Sequence, residues 1–236
     1  MMAKKIKAKL QTLANPERAV VSQSFFKTGK GEYGEGDVFI GVPMPQLRTV
    51  ANMYTDISLG EVEALLHSKI HEHRTVALLI LCNQYKKGTE AQKKKIYQLY
   101  TRSISCCINN WDLVDVSAYH IVGPYLARKS RKPLYVLAKS KNIWEKRVSI
   151  VSTWCYIRQK DLDDTFTLAE MLLYDDHDLI HKAVGWMLRE AGKKDIRRLK
   201  LFLDMHKNTM PRTMLRYAIE KLSEKERKNY LQKQGQ

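Results

Sequence analysis

Long apolar runs are missing from this sequence of 236 residues, and no apolar signal-peptide core follows its basic start, Met1-Met2-Ala3-Lys4-Lys5. We therefore expect neither a membrane span nor a secretory signal, and a location in the cytoplasm or the nucleus. The hydrophobic fraction is nevertheless 44%, which is typical of a folded globular protein and argues against a disordered chain.

Cysteine is scarce, and the four residues do not form a CxxC motif; they are Cys82, Cys106, Cys107 and Cys155. This spacing favours reduced, mostly buried thiols over disulfides or zinc ligands. The adjacent pair Cys106-Cys107 has no sequence partner that indicates nucleophilic catalysis. His177 and His181 are spaced for one helix face, but no third ligand accompanies them. We expect no bound metal and no cofactor.

Glycine and proline are also few, with 11 and six residues, yet five of the glycines and two of the prolines fall in residues 27–45. This stretch predicts a long loop before a helix that starts near Pro45. A phosphate-binding loop is disfavoured because the GxxxxGK[ST] pattern is absent and no strand precedes the stretch. A structured connector that shapes one rim of a cleft is the favoured interpretation.

Acidic residues are outnumbered, since 25 Asp and Glu stand against 41 Lys and Arg, for a net charge of +16. The excess is densest in the basic C-terminal end, residues 193–236. A charge of this size indicates a polyanionic partner, with nucleic acid first and an acidic membrane surface second. The alternative is a basic, solvated surface that serves only solubility.

The apolar spacing is helical almost throughout, and no stretch alternates as a strand would. The pattern predicts a first helix over residues 6–26, broken near Asn15-Pro16, where the proline suits a new helix start. Further helices are predicted at about 45–55, 58–67, 71–87, 89–105, 111–128, 131–139, 144–158, 161–174, 178–192, 194–206 and 211–221. The fold class predicted for residues 1–236 is therefore all-α, in a single domain.

Similar helix starts recur every 30 to 37 residues, at Arg74, Trp111, Arg147, Lys182 and Arg212. Two helices per unit with this drifting period predict a HEAT-like helical-repeat α-solenoid, in which the second helices line a concave wall. A non-repetitive helical domain with chance spacing is the alternative. The solenoid would collect basic and tryptophan side chains in one basic concave groove; these are Arg74, Trp111, Arg147, Lys182, Trp186, Arg189 and Arg212. Such a groove suits a nucleic-acid backbone and its sugars.

One carboxylate stands out in that groove. Asp115 lies one helical turn after Trp111, at the edge of a buried stripe, whereas Asp112 suits a capping role at the helix start. A carboxylate would repel phosphates, but it would stabilise a sugar cation formed when an N-glycosidic bond is cleaved. A structural ion pair between Asp115 and Arg147 is an equally open interpretation.

Several segments together carry a family resemblance: NNWDLVD, IWEKR, HKAVGWMLRE, MPRTMLRYAIEK and, earlier, GVPMPQLR. In these the sequence resembles the AlkD-like DNA alkylation repair family of HEAT-like-repeat proteins, in order from about Pro16 to Leu222. The sequence departs from the family pattern at Asn110, often a tryptophan, and at Asp178 and Leu179, where aromatic residues are typical. Its loop 27–45 is also longer.

The resemblance implies a monofunctional DNA glycosylase that removes cationic N3- or N7-alkylpurines, such as 3-methyladenine and 7-methylguanine, from double-stranded DNA. It makes Asp115 the catalytic aspartate, Trp111 and Trp186 site tryptophans, and Arg147 a DNA-contacting arginine. The DNA-binding set predicted here is Arg147, Lys182, Arg189, Arg74, Arg212 and Phe25; a family tyrosine is replaced by Phe25 or by its neighbour Phe26. We expect a cytoplasmic monomer, associated with the nucleoid when on DNA. A non-catalytic DNA-binding or protein-binding member of the same family is the alternative.

Overall fold

A computed structural model describes residues 1–232, and the regular elements in that range are helices, as the sequence predicts. Extended pairing is limited there to an isolated bridge between Val38 and Ile70. No described helix combines the length and the apolar content that a bilayer span requires. The basic C-terminal end is described up to residue 232, and its last four positions lie outside the described residues.

The residues group into two compact units, Met1–Tyr125 and Leu126–Gln236, and the prediction of a single domain stays a prediction. The helices of the first unit are α1 (Met2–Gln11), α2 (Pro16–Phe25), α3 (Met44–Met53), α4 (Leu59–Leu66), α5 (His71–Lys87), α6 (Glu90–Ser103), α7 (Trp111–Asp115) and most of α8 (Ala118–Leu126). In the second unit they are α9 (Lys132–Ala138), α10 (Ile143–Ser152), α11 (Trp154–Ile157), α12 (Asp163–Met171), α13 (Asp178–Gly192), α14 (Ile196–His206), α15 (Arg212–Ala218) and α16 (Glu224–Leu231).

Polar caps place several of these helix starts. Asn15 accepts a hydrogen bond from the backbone N–H of Arg18, with Pro16 as the first helical residue, which confirms the predicted break in the first helix. Thr89 and Gln92 form a reciprocal capping box at the start of α6. Short polar side chains thus satisfy N–H groups that would otherwise lack an acceptor at the helix ends.

Two predicted helices are each divided in the structure. The predicted helix 111–128 is wrong as one element, because Ser117 lies at the break and donates its hydroxyl back to the carbonyl of Leu113. The predicted helix 144–158 is interrupted at Thr153, whose hydroxyl donates to the carbonyl of Ile150 at 2.7 Å. The first break isolates α7 as a single short turn, and that turn carries both Trp111 and Asp115.

The glycine-rich loop is held in place by a buried acid. The carboxylate of Glu72, which is 3% exposed, accepts hydrogen bonds from the backbone N–H groups of Ile40, Gly41 and Val42 at 2.7–3.3 Å. These are the N–H groups that a phosphate-binding loop would offer to its ligand. Gly41 has φ +78° and approaches the backbone of α2 too closely for a Cβ atom. The loop is a fixed connector whose amides already have an acceptor.

Candidate functional site

A series of parallel rings supports Trp111 in the first unit. Its indole stacks on Phe26 with ring centres 5.2 Å apart, Phe26 stacks on Phe39 at 4.9 Å, and Phe39 stacks on the imidazole of His71 at 4.4 Å. Phe25 meets the indole edge-on at 5.9 Å and is 63% exposed. We call these five rings the ring stack. It runs from a buried imidazole to a half-buried indole, so the orientation of Trp111 is set by packing.

A buried polar network continues from the imidazole. His71 bridges two carboxylates, with its Nδ1 3.1 Å from Asp37 and its Nε2 2.8 Å from Asp112. The other oxygen of Asp37 accepts from the guanidinium of Arg74 at 2.6 Å, and the side-chain amide of Asn110 donates to Asp37 at 3.1 Å. Every member of this network is buried, and the pairing compensates for the loss of hydration.

These contacts determine the charges of the network. Burial alone would lower the pKa of His71, but the negative charge and hydrogen bond of Asp112, together with the hydrogen bond to Asp37, raise it to about 9. Burial would raise the pKa of Asp37, yet the hydrogen bond from His71 and the charge of Arg74 hold it below its usual value of 3.8. At neutral pH, His71 is therefore an imidazolium between carboxylates, and it can donate from both ring nitrogens.

The role predicted for Asp112 needs correction. Asn110 caps α7, because its side-chain oxygen accepts the backbone N–H of Trp111 at 2.8 Å. Asp112 is instead turned inward to His71, since a buried imidazolium offers it a stronger, charge-assisted partner than a backbone amide. The Asn110 that departs from the family pattern thus caps the site helix and also binds Asp37.

Asp115 closes the same short helix. It is half-buried, one turn beyond Trp111, as the sequence predicts. Burial raises the pKa of the Tyr100 phenol, and the charge of Asp115 adds to that rise, so the carboxylate acts on a buried neighbour. The hydroxyl of Tyr100 is 2.9 Å from that of Ser117, at the break that ends α7. Asp115 therefore lies at the boundary between the core and the surface.

Arg74 and Arg147 are the two predicted DNA-binding cations that are buried, and Arg74 belongs to the polar network of the first unit. It is 5% exposed, and its guanidinium pairs with Asp37 inside the polar network. This position leaves little of its surface for a phosphate. Within the described residues Arg74 has a structural role, as the partner of Asp37. Its contact with DNA stays a prediction.

In the second unit, Trp186 lies half-buried on α13 and meets the ring of Trp154 at 5.4 Å, with the ring planes inclined by 59°. Trp154 was not among the predicted site residues, although its aromatic type was visible in the sequence. Trp154 is the first residue of α11, and Trp186 lies on α13, so the contact joins these two helices. Trp186 is thus half-buried beside a second indole.

The predicted cations of the second unit have partners within it. Lys182 pairs with Asp178 at 2.7 Å, and Arg189 pairs with Glu190 at 3.1 Å and with Glu220. Arg147 is 4% exposed and donates to the backbone carbonyl of Leu179, while the exposed Arg212 donates to the carbonyl of Leu231 at 2.7 Å. Pairs at the surface exchange readily, so Lys182 and Arg189 still have charge to offer a polyanion.

Sequence reasoning missed much of the support around Trp111. Phe26 was named only as an alternative to Phe25, and Phe39, His71 and Asp37 were not named at all. The adjacent aromatic residues Phe25 and Phe26 were a usable signal. No spacing rule, however, relates His71 to Asp112, which lies 41 positions later in the chain. Among the described residues, the group able to hold a metal is His67, Cys106 and Cys107, none of which belongs to the ring stack.

A family model described as "DNA alkylation repair enzyme" matches residues 6–222. The chain belongs to the DNA alkylation repair enzyme family. Among solved structures, it is similar to a predicted DNA alkylation repair enzyme from Enterococcus faecalis, with a TM-score of 0.69, 16% identity, and coverage of 89% of this chain and 97% of that one. It is also similar to smu.31 from Streptococcus mutans UA159, with a TM-score of 0.51, 17% identity, and coverage of 92% and 96%. No curated protein matches it.

Membership in the DNA alkylation repair family supports a role in DNA repair, as an enzyme with DNA as its partner. The predicted family is confirmed, and so is the helical fold that the solved neighbours share. The net charge of +16 agrees with a polyanionic partner. In a family of DNA repair enzymes, the ring stack and Asp115 form the candidate active site.

Proposed function

We propose that this member of the family is a monofunctional DNA glycosylase that hydrolyses the N-glycosidic bond of N3- or N7-alkylpurines in duplex DNA. The observation that carries the proposal is α7, a single turn that presents Trp111 and Asp115 together. The ring stack and the His71 network support one end of this turn, and the break at Ser117 limits the other. A site that is held by packing and by buried hydrogen bonds behind it can keep the geometry that catalysis requires.

The substrate class follows from charge. An N3- or N7-alkylated purine is cationic, so the electron pair of the breaking C1′–N bond neutralises the base as it leaves. Because the leaving base is then neutral, no general acid is needed. The sugar carbon becomes oxocarbenium-like, and a carboxylate beside it stabilises the developing positive charge. Water then adds to C1′, its proton passes to Asp115 or solvent, and an abasic site and a free base remain.

In this proposal Asp115 stabilises the sugar cation and positions the water, while Trp111 and Trp186 contact the deoxyribose. Phe25, which is exposed beside Trp111, extends the aromatic surface available to DNA. Lys182, Arg189 and Arg212 would contact phosphates. The reaction uses no cofactor, and we expect the protein to act as a monomer in the cytoplasm, on the nucleoid.

The test is release of 3-methyladenine or 7-methylguanine from methylated duplex DNA, measured with the wild type and with Asp115→Asn. Loss of a positioned electrostatic stabiliser lowers rates by about 100-fold or more, so we expect Asp115→Asn to lose nearly all activity. Asp56→Asn, which changes an exposed loop acid in the same unit, is the matched control and should keep full activity. If Asp115→Asn released the base at the wild-type rate, the catalytic role proposed for Asp115 would be wrong.

A second candidate is a non-catalytic DNA-binding or protein-binding member of the family. The departure at Asp178 favours it, because this position pairs with Lys182 where the family resemblance leads us to expect an aromatic side chain near the site. In that case Asp115 has only a structural role, such as the ion pair with Arg147 that the sequence suggested. This candidate predicts salt-dependent DNA binding without base release, and loss of stability in Asp115→Ala.

A further inference from the structure

The first unit contains a second group of reactive side chains, in a cavity of about 200 Å³. Its wall includes His67, Cys106, Cys107, Asn109 and Arg74. Cys107 and His67 are 40 residues apart in the chain, yet the Cys107 Sγ lies 3.5 Å from the Nδ1 of His67. The sequence predicted no zinc site at the cysteines because they do not form a CxxC motif, but the fold brings His67 to the adjacent pair.

We propose that His67, Cys106 and Cys107 form a binding site for one Zn²⁺ ion. One nitrogen and two sulfur atoms are the ligand types that zinc prefers. The three potential ligand atoms all lie within 4.8 Å of one another. Ligands at about 2.1 Å for nitrogen and 2.3 Å for sulfur in a tetrahedron are separated by roughly 3.6–3.8 Å, so the cluster needs little movement to close on the ion.

The backbone holds these ligands before any ion binds. His67 ends α4, where its N–H donates to the carbonyl of Glu63 at 3.1 Å. The cysteines lie in the turn after α6, and the N–H of Cys107 donates to the carbonyl of Ser103 at 3.0 Å. The zinc site would thus join the end of α4 to the end of α6. Ligands that are already ordered lose less conformational entropy on binding.

Three protein ligands leave a fourth position for water. Asn109 lines the same cavity, and its side-chain Oδ1 is buried without a hydrogen-bond partner among residues 1–232. A buried acceptor without a donor is costly, and a metal-bound water is a donor of the right kind. The unsatisfied Asn109 oxygen is therefore an observation, independent of the thiols, that points to a ligand in this cavity.

Binding must displace thiol protons. Zinc binds the thiolate form, so its affinity should increase with pH and protons should be released. Two thiolates cancel the charge of the ion, and Arg74 is already paired with Asp37, so no net charge enters the cavity.

The experiment uses the full-length protein with Zn²⁺ or Co²⁺ and no DNA, so its result does not depend on the glycosylase proposal. We expect one ion per chain, a Co²⁺–thiolate charge-transfer absorbance, and a rise in melting temperature with Zn²⁺. His67 is exposed, so His67→Gln should fold normally. It should weaken zinc binding by more than about tenfold, because even the loss of a residue that only hydrogen-bonds to a metal ligand has an effect of that size. Cys106→Ser, which is also exposed, should do the same.

Cys155→Ser is the matched control, because Cys155 is a free cysteine of the second unit. It should leave both the cobalt absorbance and the zinc affinity unchanged. Alkylation offers an independent measurement, since Zn²⁺ should protect the exposed Cys106 and leave Cys155 as reactive as before. Absence of the thiolate absorbance, or unchanged zinc affinity in His67→Gln, overturns the proposal.

Discussion

Trp111 and Trp186 are the two predicted site tryptophans, and the two units hold them by different means. Trp111 ends a ring stack that leads to a buried imidazolium between carboxylates. Trp186 meets the ring of Trp154, and the cations on its helix, Lys182 and Arg189, form ion pairs at the surface. Buried pairs resist exchange, whereas surface pairs exchange with solvent and ligands. The surroundings of Trp111 therefore fix its geometry, and those of Trp186 offer exchangeable charge.

The largest effect expected is on stability, at His71. His71→Gln removes the cation between Asp37 and Asp112 and leaves the Asp112 carboxylate buried without its charged partner. Breaking a buried pair in this way costs about 3–5 kcal/mol in the free energy of unfolding, measured by urea denaturation. His73→Gln is the control two residues along the same helix, because burial lowers the pKa of His73 to about 4 and keeps it neutral. Equal losses in both variants would contradict the charged network.

The next effect separates the two tryptophans. Trp111→Ala removes the outer ring of the stack, and we expect a loss of about 2 kcal/mol in the free energy of unfolding, since the ring is half-buried. Trp111→Phe keeps a ring on Phe26 and should recover most of that loss. Trp186→Ala should cost less, because the ring of Trp154 is inclined to its indole and does not stack on it. A larger loss for Trp186→Ala would reverse the comparison.

The first unit should also lose stability at alkaline pH. The pKa of His71 is about 9 in the folded chain and near 6.5 when unfolded, so its contribution is complete below pH 6.5 and is lost as pH rises through 9. Asp37, Asp112 and Arg74 are the charged groups that face it. Amide hydrogen exchange of α5 should therefore speed up between pH 7 and 9 beyond its intrinsic pH dependence, and His71→Gln should remove that excess.

The smallest effect on stability concerns Lys182. Lys182→Ala and Asp178→Asn each break one exposed ion pair and should change the free energy of unfolding by less than about 1 kcal/mol. Their effects on DNA binding should have opposite signs. Lys182→Ala removes a phosphate contact and about one unit of the salt dependence, whereas Asp178→Asn frees the ammonium group and tightens binding. Weaker binding by Asp178→Asn would show that the pair positions Lys182 for DNA.

The sequence predicted best the two longest of the described helices. Helices α5 and α13 begin and end at the predicted residues; α5 is buried on every side over residues 71–81, and α13 has a buried apolar face. Helix α16 was not predicted, although the capping box of Ser223 and Glu226 marks its start. The breaks at Ser117 and Thr153 were missed because a hydroxyl that bonds back to its own helix does not alter the apolar pattern.

The group of His67, Cys106 and Cys107 and the ring stack were missed for a different reason. Each joins residues separated by tens of positions, and only the folded chain decides which distant residues meet. A propensity or spacing rule operates within a few helical turns, so it identified Trp111 and Asp115 as neighbours but could not place Phe39 or His71 behind them.

The sequence by itself determined the helical class, the basic character, the family segments and the one-turn spacing of Trp111 and Asp115, because these depend on local periodicity and composition. Tertiary structure alone decided that Asp112 binds His71, that Glu72 satisfies the glycine-rich loop and that His67 reaches Cys107. Those contacts form where burial removes water and each polar group must take the partner that the fold brings within reach.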